Sequence, residues 1–172
     1  MKPISSRIKF GLVAGGYAAV LLVAAALLFI RHLVELQDPA AASGGMFAFG
    51  EILLHLFIGC LFLIPTVFLI WIIAKAETLY TAYSRFLFGL SLSAPLCMSV
   101  VLFGGDYVAP SLSWLCFYRV EESPIVLVGI GLSRFAARFD RAKRLVSYAL
   151  LVEGLTLVLP VAAFIVTLLI HR

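Results

Sequence analysis

Long apolar runs separated by short polar segments organise this chain. They extend roughly over Phe10–Ile30, Phe47–Ala74, Phe86–Phe103 and Leu145–Ile170. A helix rises ~1.5 Å per residue, so ~20 apolar residues cross the ~30 Å hydrocarbon core of a bilayer. The pattern predicts an all-α membrane protein: a four-transmembrane-helix bundle that makes residues 1–172 a single integral membrane domain. Lys2, Arg7 and Lys9 precede the first run as in a signal peptide, but the run is longer than a usual signal core and ends in Arg31-His32. A retained helix is expected there.

The segments between the runs carry their own signals. Arg31–Gly45 is polar and ends in a flexible Ala-Ser-Gly-Gly stretch. The long connection between the third and fourth spans, Gly104–Arg144, holds a Gly-Gly-Asp turn, an aromatic patch from Trp114 to Tyr118, and a short apolar run, Ile125–Leu132. It ends in the basic segment Ser133–Arg144, where Phe135, Phe139, Ala142 and Val146 share one helical face and Arg134, Arg138 and Arg141 the other. That period predicts either a short amphipathic basic helix whose three arginines contact lipid headgroups or, equally, a basic end to a long fourth helix. Within the spans, Pro65, Pro95 and Pro160 predict kinks. Gly11, Gly15 and Ala19 recur every fourth residue in the first span, the pattern of a helix-packing face in lipid.

Composition narrows the class. Of the residues, 63% are hydrophobic and 13% charged, and mean hydropathy is +1.13. A soluble domain of this length has too little interior to hide that much apolar surface. A multi-pass protein of the cell or inner membrane is the expectation. Nucleic-acid binding is a poor fit, because the bases lie beside membrane segments and not on a soluble face. Cys60, Cys97 and Cys116 show no metal or disulfide spacing.

Charge placement leaves the orientation close to balanced. With four spans, one side holds Lys2, Arg7, Lys9, Lys75, Arg85 and Arg172; the other holds Arg31, Arg119, Arg134, Arg138, Arg141, Lys143 and Arg144. The three bases before the first span favour cytoplasmic termini. A fifth crossing by Trp114–Leu132 would gather the bases on one side. It would also bury Arg119, Glu121 and Glu122 at ~2.5–3.5 kcal/mol each on the insertion scale, so four spans are expected, with Ile125–Leu132 left open as a re-entrant dip.

Three ionisable residues are candidates for chemistry: Glu51, His55 and Glu153. Glu51 and His55 stand four apart on one helical face, a spacing that suits two metal ligands or a proton relay. The uncharged run after them spans without them, so an interfacial, structural role competes. Glu153 is the sharper case. Only 17 residues separate it from the end of the last run, which draws the carboxyl below the interface, where it needs a proton or a partner. In a four-span bundle the three share a leaflet, which makes Glu51 and His55 the expected partners of Glu153.

No hydrolase, phosphate-loop or zinc-protease signature is present, and no metal or cofactor is expected. The reading that accounts for these absences is a structural, accessory or assembly subunit acting through helix packing and its loop. Its expected partners are anionic headgroups of the bilayer, other membrane proteins and further copies of itself. The alternative is a proton- or cation-coupled small-solute transporter working as an oligomer. An enzyme would have only the same Glu–His set to work with.

Overall fold

The computed structural model describes residues 6–37, 45–104 and 108–170, and the side chains among them except those of 6–7, 46, 48 and 163–170. Lys2, residues 38–44, Gly105, Asp106 and Arg172 therefore lie outside the described residues. The described residues form six helices: α1 (Ser6–Gln37), α2 (Gly45–Ile73), α3 (Glu77–Phe103), α4 (Pro110–Glu121), α5 (Ser123–Ala136) and α6 (Asp140–Ile170). Four of them, α1, α2, α3 and α6, are long and apolar enough to cross a membrane. They correspond to the four apolar runs, extended at the ends by polar turns that a hydropathy pattern does not count as helix. Pro65, Pro95 and Pro160 lie inside α2, α3 and α6, which run on through them.

The chain divides into two compact units, residues 1–72 and 73–172. In the first, α1 and α2 run antiparallel. Arg31, late in α1, lies 3.0 Å from Glu51, early in α2, and Arg31 also stacks over the Phe47 ring at 5.5 Å. Nearer the other end, Tyr17 and Thr66 hydroxyls are 2.8 Å apart. Thr66 gives its own proton to the Phe62 carbonyl, so Tyr17 is the donor. The α1 face carrying Val13, Gly16, Tyr17, Val20 and Ala24 is the more buried one. Gly16 makes the close approach, since a Cβ there would meet the Pro65 Cβ at 3.2 Å. Gly11, Gly15 and Ala19 lie on an exposed face instead, with open space beside both glycines.

The second unit is a bundle of α3, α6 and the broken helix α4–α5. Its buried residues repeat at alternating steps of four and three. On α3 they are Tyr80, Ser84, Leu87, Ser91 and Ala94; on α6, Ala142, Val146, Ala149, Glu153 and Thr156. That step is the seam of helices packed knobs-into-holes, and small residues along it let backbones approach. Leu87, Ile130, Val146 and Ala149 form the apolar core. A third seam crosses the break: Cys116, Ser123, Ile130, Ser133 and Ala137 are buried, and Arg119 falls in the same register.

The register of α4–α5 along α3 is antiparallel and end to end. Pro110, Ser113 and Trp114 share a cavity with Val100 and Val101 near the C-terminus of α3. Further along, the free thiols of Cys97 and Cys116 lie within hydrogen-bonding reach of each other, Arg119 reaches Ser93 and Leu90, and the Tyr80 hydroxyl donates to the Ser133 carbonyl near the α3 N-terminus. Tyr83 also bonds the Ser133 hydroxyl at 3.1 Å. The break at Glu122 is narrow. Pro124 lacks an N–H and clashes with the carbonyl four residues back, so α4 stops at Glu121 and α5 restarts at Ser123. The connection that the sequence pattern reads as loop is thus two helices.

The basic segment also differs from expectation. No single amphipathic helix runs through Ser133–Arg144, because α5 ends at Ala136, Ala137 turns extended (φ −66°, ψ 120°), and α6 begins at Asp140. Phe135 is 91% exposed while Ala142 and Val146 are fully buried. These residues share a face on an unbroken helix; the reversal at Ala137 separates them.

Candidate functional site

Glu153 is fully buried and Arg119 nearly so, with 14% of its side chain exposed. The two meet side by side: Arg119 Nη1 donates to Glu153 Oε1 and Nη2 to Oε2, both at 2.9 Å. A guanidinium has five N–H donors. The other three go to Ser93 Oγ from Nε at 3.0 Å, to Ser123 Oγ from Nη1 at 3.1 Å, and to the Leu90 carbonyl from Nη2 at 3.0 Å. All five are used, and both carboxylate oxygens are taken. Ser93 donates its own proton to the Leu90 carbonyl at 2.6 Å, which turns its lone pairs toward Arg119. Four helices converge on the pair: α3 through Leu90 and Ser93, α4 through Arg119, α5 through Ser123 and α6 through Glu153.

Bidentate, charge-assisted bonds of this kind are the strong ones, and a planar guanidinium fits them where an ammonium does not. Chemically, the arrangement holds charge in place. A proton or cation arriving at Glu153 would have to displace two of these bonds.

The other sequence candidates fall as follows. Glu51 pairs with Arg31, and His55 Nδ1 lies 2.9 Å from the Glu51 carbonyl one turn back; both belong to the first unit. The partner that the structure gives Glu153 is Arg119, a residue the hydropathy reading left in a loop. Among the described residues, no group of three or more His, Cys, Asp or Glu is placed to hold a metal ion. Arg134 Nε donates to the Ser147 hydroxyl at 2.8 Å, tying the end of α5 to α6. Arg138 lies in the break before α6. Arg141 lines a cavity of about 370 Å³ with Arg85, Arg144 and Leu145.

A signal for Arg119 was present in the sequence. Counting in alternating threes and fours from Cys116 gives Arg119, Ser123, Val126, Ile130, Ser133 and Ala137, a seam of mostly small or apolar residues with one arginine in it. The same count on α6 passes through Glu153.

Comparison with known proteins adds no relative: no family, no curated protein and no solved structure matches this chain.

Proposed function

We propose that this chain is an accessory or assembly subunit of a membrane, working through helix packing, and that it crosses the bilayer five times. The observation that carries the first part is the saturation of the Arg119–Glu153 pair. A carboxylate with both oxygens held, facing a guanidinium with all five donors used, pins four helices together and leaves no free valence for a substrate.

The fifth crossing is supported by register. The segment 110–136 runs beside α3 from one end to the other, so a bilayer that contains α3 contains it as well. Arg119 then lies level with Leu90, the midpoint of α3. The insertion cost that disfavours this crossing applies to isolated charges; pairing with Glu153 neutralises Arg119, and Glu121 and Glu122 sit half-buried at the break, each with an interaction of its own. Such a segment inserts in the company of α3 and α6 and not alone.

Charge placement supports it further. With five crossings, Lys2, Arg7, Lys9, Lys75, Arg85, Arg134, Arg138, Arg141, Lys143 and Arg144 share one side, ten of the chain's 13 bases. Arg31 and Arg172 lie opposite. The near tie becomes a strong positive-inside bias that makes the ten-base side cytoplasmic and the end of α6 external.

Transport remains the second reading, favoured by the hydroxyls of Ser84, Ser91, Ser93, Ser123, Ser133 and Thr156 within the helix bundle of the second unit. One experiment separates the two. In a strain lacking the gene, the double variant Arg119→Met/Glu153→Leu is expected to accumulate in the membrane and to complement the deletion, because apolar side chains replace a structural pair without leaving a charge behind. An abundant but non-complementing double variant would contradict the packing role and favour transport.

A further inference from the structure

Three arginines with no described carboxylate partner line one cavity at the basic end of the second unit. Arg85 comes from α3, while Arg141 and Arg144 come from the first turns of α6 with Leu145 beside them. The volume of about 370 Å³ admits a phosphate-bearing headgroup. Asp140 precedes Arg141 but is not among the lining residues, and the described ion pairs of the chain use Arg31, His32 and Arg119 instead. Three like charges held around one space repel one another unless an anion enters it.

We propose that this cavity binds the phosphate of an anionic phospholipid. Guanidinium groups recognise phosphate oxygens through paired N–H donors, and Leu145 offers an apolar wall for the glycerol and upper acyl chain. Phe135, 91% exposed at the end of α5, lies at the same end of the bundle, as the Tyr80–Ser133 and Arg134–Ser147 bonds show. An aromatic ring so exposed beside a basic cavity suits the boundary between headgroups and acyl chains. The inference rests on the five-crossing reading, since four crossings would part Arg85 from Arg141 and Arg144: with ten bases inside, the lipid belongs to the cytoplasmic leaflet, whose anionic surface attracts such sites.

The test uses the purified full-length protein in phosphatidylcholine nanodiscs, with phosphatidylglycerol added stepwise and the unfolding temperature read. Phosphatidylglycerol should raise the unfolding temperature of the wild type. Arg85→Gln/Arg144→Gln should match wild type in phosphatidylcholine and need roughly 30-fold more phosphatidylglycerol for half the rise, taking each base near the surface at its usual weight. If that pair lowers stability in phosphatidylcholine, Arg144→Gln alone is read the same way, with a shift of about fivefold. Arg138→Gln/Lys143→Gln removes equal charge from the same end outside the cavity and should respond like wild type. Equal loss in both double variants, or loss in neither, overturns the site. Inorganic phosphate reproducing the full rise overturns the lipid as occupant and leaves phosphate alone. Thiol labelling from either face at residues 75 and 138 reads the crossing separately, so a failed crossing and a failed lipid site are distinguishable.

Discussion

A guanidinium at mid-bundle is tolerable only when its donors are spent, and the environment of Arg119 spends them on a carboxylate, two serines and a backbone carbonyl. Removing one member of a buried pair strands the other. Glu153→Gln is therefore expected to cost about 3–5 kcal/mol, read as a fall in unfolding temperature of the detergent-solubilised protein, whereas Arg119→Met/Glu153→Leu should cost much less. A Glu153→Gln protein as stable as wild type would show that the pair is not the pin. Arg119→Lys keeps the charge but loses the fork and the stem-level Nε bond to Ser93, so it should fall between, at about 1–3 kcal/mol. Glu153 was legible in the sequence because too few apolar residues follow it to leave it at the surface. Arg119 was not, because Glu121 and Glu122 beside it make the segment look like an exposed loop, and only a partner from 34 residues away makes its burial affordable.

The four long helices were readable because each is a continuous apolar run. The broken helix was hidden for two physical reasons. α5, with 14 residues, is too short to cross alone, and α4 mixes Ser, Trp, Cys and Tyr with its apolar positions, so neither half clears a hydropathy threshold. Their end-to-end placement along α3 is tested by native thiols. In protein whose Cys60 is Ser, Cys97 and Cys116 should be joined within one chain by a short, membrane-permeant bifunctional thiol reagent, since the two thiols lie within hydrogen-bonding reach; both thiols labelled singly but never cross-linked in folded protein would contradict that register. In the first unit the periodic glycines of α1 pointed to one face, while the contact with α2 runs along the neighbouring one. Gly16→Leu should destabilise the protein, because even a Cβ added there would meet the Pro65 Cβ at 3.2 Å. Gly15→Leu should be within about 0.5 kcal/mol of wild type in the monomer, as for a surface position. A reversal of that order would show that the glycine face packs and the Gly16 face does not.

For the whole molecule, the count of crossings decides where everything else lies. Four crossings put Arg119, Arg134, Arg138, Arg141, Lys143 and Arg144 opposite Lys75; five put every one of them but Arg119 on the side of Lys75, with Arg119 inside the bilayer. The lengths of apolar runs could not choose, because the deciding quantity is a neutralised pair formed between distant helices. Labelling of single cysteines in the full-length chain by a membrane-impermeant thiol reagent, with the native cysteines changed to Ser, reads the choice directly. Three positions suffice: Lys75→Cys between α2 and α3, Val108→Cys before α4, and Arg138→Cys between α5 and α6. The account predicts that Lys75→Cys and Arg138→Cys are labelled from the same face, the cytoplasmic one, and Val108→Cys from the other. Labelling of Val108→Cys and Arg138→Cys from one common face, opposite Lys75→Cys, would contradict it.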